Sequence, residues 1–173
     1  MRPFIQFSSR NIQKSNEYYL AFNIEDDCFA ANFPKIAGFS KEFTFEAYNG
    51  KVNFIEGLAT INNESIPVIN LKKKLGLNSE APKSINKLVI AETEVFGTIL
   101  KFAVFYDVLG DAFEIPEKKM LPIPNIGKQF ESGSVKGVHI HENNTIYILN
   151  LDRIFDIDDL IDIKVAFLNK TAC

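Results

Sequence analysis

Short runs in which apolar and polar residues alternate, cut by polar turn signals about every 8–12 residues, are the feature that most constrains this chain. Tyr18, Leu20, Phe22 and Ile24 alternate with Tyr19, Ala21, Asn23 and Glu25. A period of two places one set of side chains on each face of a strand. Glu25-Asp26-Asp27 then reads as a turn, and 28–33 as the returning strand of a hairpin. Phe54 to Ile61 and Ser65 to Leu71 are the next strands, joined by the polar tip Asn62-Asn63-Glu64. Lys87 to Glu92 and Thr98 to Tyr106 flank a turn at 93–97, and 107–115 continues as a strand. Val135 to Glu142 and Thr145 to Leu149 form a last hairpin around Asn143-Asn144.

Between these runs the pattern weakens. The stretch 37–53 is Phe-rich but irregular, with a turn signal at Asn49-Gly50. Leu71 to Leu75 allows at most one helical turn, stopped by Gly76. The stretch 78–86 reads as a polar loop, and Pro116, Pro122 and Pro124 punctuate a long connection. Leu151, Ile154, Phe155 and Leu160 fall near helical spacing, with Asp152 placed to cap, while 161–168 alternates like a strand. About ten short strands with one or two helices point to barrels or a sandwich. Without alternating strands and helices, a parallel nucleotide-binding sheet is not expected. Residues 1–16 read as a loose N-terminal extension and 17–173 as a single domain.

Composition narrows the function classes. Hydrophobic residues make up 46% of the 173, enough to build a core, and sixteen Phe with no Trp allow that core to be dry. A net charge of −3 offers no basic excess for a phosphate backbone, so nucleic-acid binding is not expected. The only basic run, Lys72-Lys73-Lys74, reads as a solvated turn. The opening residues lack an apolar signal core, and no window is apolar for long enough to span a membrane. Two distant cysteines, Cys28 and Cys173, suit a reducing compartment. A cytoplasmic protein without membrane insertion is expected.

Signals for chemistry are weak. Neither of the glycine-rich phosphate-loop patterns occurs. A nucleophile would have to be Cys28 or Cys173 paired with His139 or His141, and no spacing supports that. His139 and His141 share one face of a strand, which would permit metal chelation, but no third ligand is signalled, so an exposed face is expected. Asp156, Asp158, Asp159 and Asp162 lack the glycine and terminal glutamate of a calcium loop and read as a solvated helix face. No cofactor, metal or catalytic residue is expected.

One stretch is more specific. Gly57-Leu58-Ala59-Thr60-Ile61-Asn62-Asn63-Glu64-Ser65-Ile66-Pro67-Val68-Ile69-Asn70-Leu71, with Leu75-Gly76 after the lysines, resembles the signature of the CheW family, the coupling proteins of bacterial chemotaxis. Further likeness lies in Tyr19 to Ile24, Lys101 to Leu109, Met120 to Pro124, Phe130 to Val138 and Ile146 to Phe155. Order and spacing hold from about Tyr18 to Leu160. The resemblance implies an all-β fold of two SH3-like five-stranded β-barrels with a short C-terminal helix. It implies a non-catalytic scaffold that docks the regulatory domain of a CheA-like histidine kinase and the cytoplasmic tip of a chemoreceptor. The contacts it implies are Gly57, Leu58, Thr60, Asn62 and Asn63. Asn62-Asn63 stand where the family carries Arg-Gly, and that Arg is linked to receptor engagement. Thr60 and Asn70 replace an Asn and an Asp. The alternative is a divergent paralogue that binds another signalling partner, or a small molecule or metal through His139 and His141.

Overall fold

The computed structural model describes residues 17–79, 84–123, 130 and 133–168; the expected extension at 1–16, Cys173, Pro124 and part of the 78–86 loop lie outside them. Among the described residues, eleven strands and two α-helices follow in order. They are β1 (Glu17–Ile24), β2 (Asp27–Asn32), β3 (Ile36–Ser40), β4 (Thr44–Ala47), β5 (Ile55–Ile61), β6 (Glu64–Ile69), α1 (Leu71–Lys74), β7 (Leu88–Val95), β8 (Thr98–Phe105), β9 (Val108–Ile115), β10 (Val135–His141), β11 (Asn144–Leu149) and α2 (Ile157–Ala166). They build a five-stranded sheet, β10-β11-β2-β1-β9, and a six-stranded sheet, β3-β7-β8-β6-β5-β4. The fold is mostly β with two sheets, as expected, the second sheet having one strand more than five.

Each sheet curls around its own small core. In the six-stranded sheet, Ala37 of β3 and Phe45 of β4 lie at opposite edges, yet both pack on one cluster with Ala59, Val68, Leu88 and Phe105. In the five-stranded sheet, Phe113 of β9 and His139 of β10 stack across the two edges at 5.2 Å, over Tyr19, Ala30, Ile115 and Ile148. The largest cluster lies between the sheets and includes Phe22, Phe29, Ile69, Phe102, Leu149, Phe155 and Leu160. Burying such side chains stabilises by about 1.5–3 kcal/mol each, so this shared core joins the two barrels into one body.

Tight turns set the registers. Ile61 faces Glu64, Val95 faces Thr98 and His141 faces Asn144, leaving two-residue loops. Both central residues of each have positive φ: Asn62 and Asn63, Phe96 and Gly97, Glu142 and Asn143. That geometry follows the right-handed twist of paired strands and favours Asn and Gly. The turn expected at 93–97 is therefore shorter, and β7 continues to Val95.

Three sequence expectations are corrected. The irregular 37–53 stretch contains β3 and β4, both edge strands with few buried positions and so little alternation. Residues 161–168 are helical through Ala166: Leu160 and Ile163 face the core while Ile161 and Val165 face outward, producing a false period of two. The cap of α2 is Asp156, in a reciprocal capping box with Asp159, whereas Asp152 lies in a separate short 3-10 turn.

The two halves also repeat. Gly57, Asn63, Ile66, Asn70 and Leu71 correspond, 80 residues later, to Gly137, Asn143, Ile146, Asn150 and Leu151. Each set forms a bulge before or at the glycine, a two-residue turn, and a return strand leading into a single helical turn. Each return strand pairs in parallel, β6 with β8 and β11 with β2.

Candidate partner-binding surface

The residues singled out from the sequence lie on β5 and its turn into β6. Alternation along β5 divides them between faces. Gly57 and Ala59 point into the barrel, whereas Glu56, Leu58 and Thr60 are half-buried on the outer face. Leu58 pairs with Pro67 on one side and Glu46 on the other, and Thr60 with Ser65 and Thr44. Leu58 also borders a hollow of about 290 Å³ between the 46–50 segment and the end of α2 at Ala166 and Phe167. Tyr48 meets Phe167 edge-on at 6.1 Å on that wall.

Gly57 is a packing requirement. A Cβ there would fall 2.2 Å from the Glu46 carbonyl oxygen and 2.6 Å from the Phe45 ring. Backbone cannot yield as a flexible side-chain end can, so β4 closes on β5 only over a glycine. Asn62 and Asn63 are exposed at the hairpin tip, in the left-handed conformation the turn demands. Beside the tip, Glu64 holds Lys101 at 3.0 Å. Hydrogen bonding to Glu64 raises the Lys101 ammonium above its usual range, against a small loss from burial.

The lysine run is not a solvated turn. Lys72 and Lys74 are buried, and only Lys73 is exposed. Lys72 reaches across to the β1–β2 turn, bonding Glu25 and lying 2.9 Å from Asp27. Burial pulls its ammonium down, but hydrogen bonds and charge from Glu25 and Asp27 outweigh that and raise it overall. Lys74 meets Asp159 of α2 at 3.1 Å. The acidic group at 156–162 is likewise not one solvated face. Burial pushes Asp159 up, while the Asp159 backbone N–H bonded to Asp156 holds Asp156 down. Thus α1, leaving the six-stranded sheet, is tied by one lysine to the other sheet and by the next inward-facing lysine to α2.

His139 is half-buried between Phe113 and His141, its ring 6.3 Å from that of His141. Burial, helped by neighbouring His141, lowers the His139 imidazole below its usual range. The histidine face is therefore only partly exposed. Among the described residues no group of three or more His, Cys, Asp or Glu is placed to hold a metal. Cys28 is half-buried and burial pushes its thiol up, opposite to the shift that activates a nucleophile.

A family model described as the CheW-like domain matches residues 18–159. The chain belongs to the CheW-like domain family. It is 18% identical over 150 residues to a chemotaxis protein CheW of Rhizobium meliloti (strain 1021), covering 86% of this chain and 93% of that protein. The crystal structure of the scaffolding protein TtCheW from Thermoanaerobacter tengcongensis is similar with a TM-score of 0.65 at 21% identity, over 83% of this chain and 95% of that one. At that identity the likeness establishes the fold.

In this CheW-like domain the signature stretch runs through β5, β6 and the start of α1. The side chain of Asn70 both accepts and donates at the start of α1. Its side-chain oxygen accepts from the Lys73 backbone N–H at 3.0 Å, capping α1, while its amide nitrogen donates to Glu56 at 2.6 Å. An aspartate can make the first bond but not the second. The ties of Lys72 and Lys74 were not read from the sequence, because their partners lie far along the chain. Opposite charges, at 25–27 for Lys72 and at 156–162 for Lys74, were the hint.

Proposed function

We propose that this chain is a non-catalytic coupling scaffold of a chemotaxis assembly, docking the regulatory domain of a CheA-like histidine kinase and the cytoplasmic tip of a chemoreceptor. The carrying observation is the CheW-like match across 18–159, which takes in both sheets except Glu17 and reaches only the start of α2. The outer face of β5 supports it: Leu58 and Thr60 are half-buried, beside a hollow walled by Tyr48 and Phe167. A partially covered apolar position next to exposed polar ones is the pattern of a contact core with a polar rim. Asn62 and Asn63 extend that rim without charge, so the receptor contact here is made by neutral hydrogen bonds where the family pattern uses an arginine.

The test is calorimetric titration of the chain with each partner domain, repeated with Leu58→Asp. Binding tighter than about 100 µM, near −5.5 kcal/mol, that weakens at least about tenfold in the variant supports the reading. No heat with either wild-type partner at that concentration removes it.

A further inference from the structure

Asn49-Gly50, a turn signal in the sequence, lies on the wall of the hollow beside Leu58. β4 ends at Ala47 and β5 begins at Ile55. The Tyr48 N–H still donates to the Glu56 carbonyl at 2.9 Å, which extends that pairing by one residue. Beyond it Asn49 and Gly50 are exposed, and among the described residues no hydrogen bond engages either. Exposed backbone without such bonds is the readiest to rearrange. Packing nevertheless calls for glycine at 50. A Cβ there would fall 2.0 Å from the Tyr48 hydroxyl and 2.1 Å from the ring carbon bearing it, and Tyr48 in turn meets Phe167 edge-on. The same missing side chain leaves the Gly50 nitrogen unshielded. No other asparagine in the sequence is followed by glycine.

We propose that Asn49 is a site of spontaneous deamidation, which turns this wall of the hollow from a neutral amide to a carboxylate as the protein ages. The Gly50 backbone nitrogen gives up its proton, and its lone pair forms a bond to Asn49 Cγ. The Cγ–Nδ2 bond breaks, and the side-chain nitrogen leaves as ammonia with that proton. Water then opens the five-membered succinimide. Cleaving the new N–Cγ bond gives aspartate; cleaving the original peptide C–N bond gives isoaspartate. In either case the nitrogen recovers a proton from the water. One water is consumed and one ammonia released, with no change of oxidation state. A side chain on the following residue obstructs the attack, and glycine has none. Asn62 and Asn63 are equally exposed, but each precedes a residue with a side chain, and both are held in a two-residue turn between paired strands. The new carboxylate stands on the same wall as Glu46, so negative charge gathers there. Isoaspartate also lengthens the main chain by a methylene next to Tyr48. The chemistry needs no partner, so it is independent of the docking reading.

The unaltered chain supplies the test. Trypsin releases residues 42–51, between Lys41 and Lys51, in which Asn49 is the only side-chain amide. It also releases residues 52–72, which hold Asn53, Asn62, Asn63 and Asn70. After incubation in warm, mildly alkaline buffer, with the unaged chain digested in parallel, the 42–51 peptide is expected to divide into asparagine, aspartate and isoaspartate forms. Mass spectrometry reads the loss of the amide, and labelling by an isoaspartyl methyltransferase identifies the third form. Loss at 49 is expected to be at least about tenfold faster than at any asparagine of 52–72, a barrier lower by about 1.4 kcal/mol, and within about tenfold of the rate in a synthetic 42–51 peptide. Asn49→Gln, whose longer side chain must close a six-membered ring, is expected to keep its amide over the same interval. An amide retained at 49 in the folded chain while the synthetic peptide loses it refutes the proposal, because the fold then holds the Gly50 nitrogen away from Cγ. Equal rates at 49 and at 62–63 refute it as well, since the glycine then confers no lability.

Discussion

Replacing Lys72 by Met tests whether the two barrels are held together by charge as well as by their shared core. The Lys72 side chain is 8% exposed, and its partners Glu25 and Asp27 are 11% and 16% exposed. Lys72→Met keeps most of the apolar stem but leaves two adjacent carboxylates facing each other without a cation. Removing one partner of a buried pair costs about 3–5 kcal/mol. The remaining exposure of both acids lets water reach them, so the lower end, about 3 kcal/mol, applies. For a domain of this size that lowers the melting temperature by about 6–12 °C. Urea unfolding supplies the free energy, and a cycle with Glu25→Gln and Asp27→Asn isolates the interaction. The triple variant, with no buried charge left unpaired, should recover at least half of the loss. The pH dependence gives a second readout. The folded Lys72 pKa is raised overall, so its contribution is complete below the unfolded value of about 10.4 and is lost as pH rises through the folded value. Wild type therefore loses stability in that alkaline window, and Lys72→Met loses less. A cost below about 0.5 kcal/mol, the size of a surface pair, would refute the reasoning.

Two further outcomes follow from the same contacts. Asn70→Asp is expected to cost about 1.5–3 kcal/mol by setting a carboxylate against Glu56 where an amide now donates; Glu56→Gln should restore most of it in chemical denaturation, and no rescue would show that the bond contributes little. Gly137→Ala puts a Cβ 2.5 Å from the Leu121 carbonyl oxygen and is expected to cost about 1–3 kcal/mol, whereas Gly38→Ala, with nothing within 4 Å, should be nearly neutral; equal melting temperatures for the two variants would contradict the packing argument.

Where strands are central, the residues announce them. Phe54 to Leu71 became β5, β6 and the start of α1, and the burial of β5 alternates as its sequence does, whereas Tyr18 to Ile24 became β1 with both faces covered, Tyr19 in the barrel core and Phe22 and Ile24 between the sheets, so its period of two did not mean one buried face. Edge strands leave none: in β4 only Phe45 is not exposed, so its pattern was lost among the surrounding phenylalanines. α2 misled in the opposite way, its outward Ile157, Ile161 and Val165 adding a second apolar stripe to the buried Leu160 and Ile163. At the candidate surface, the sequence indicated which residues share a hairpin but not their orientation. Gly57 proved to be inside the barrel wall and Leu58 outside it. The burial of Lys72 and Lys74 was illegible for a simpler reason: a lysine beside a distant carboxylate looks the same in one dimension as a lysine in water.

The order of strands also bears on how the chain emerges during synthesis. The six-stranded sheet uses only β3 to β8, a continuous stretch, whereas the five-stranded sheet joins β1 and β2 to β9, β10 and β11. A nascent chain ending near Phe105 carries every strand of the first barrel but only one hairpin of the second. Until β11 arrives to pair with β2, that hairpin holds Phe29 and Ala30 on an uncovered edge. The second barrel thus depends on late, long-range closure, which is the slow kind of contact to make. Pausing translation between β8 and β11 would prolong the interval in which this edge is open to association with other chains.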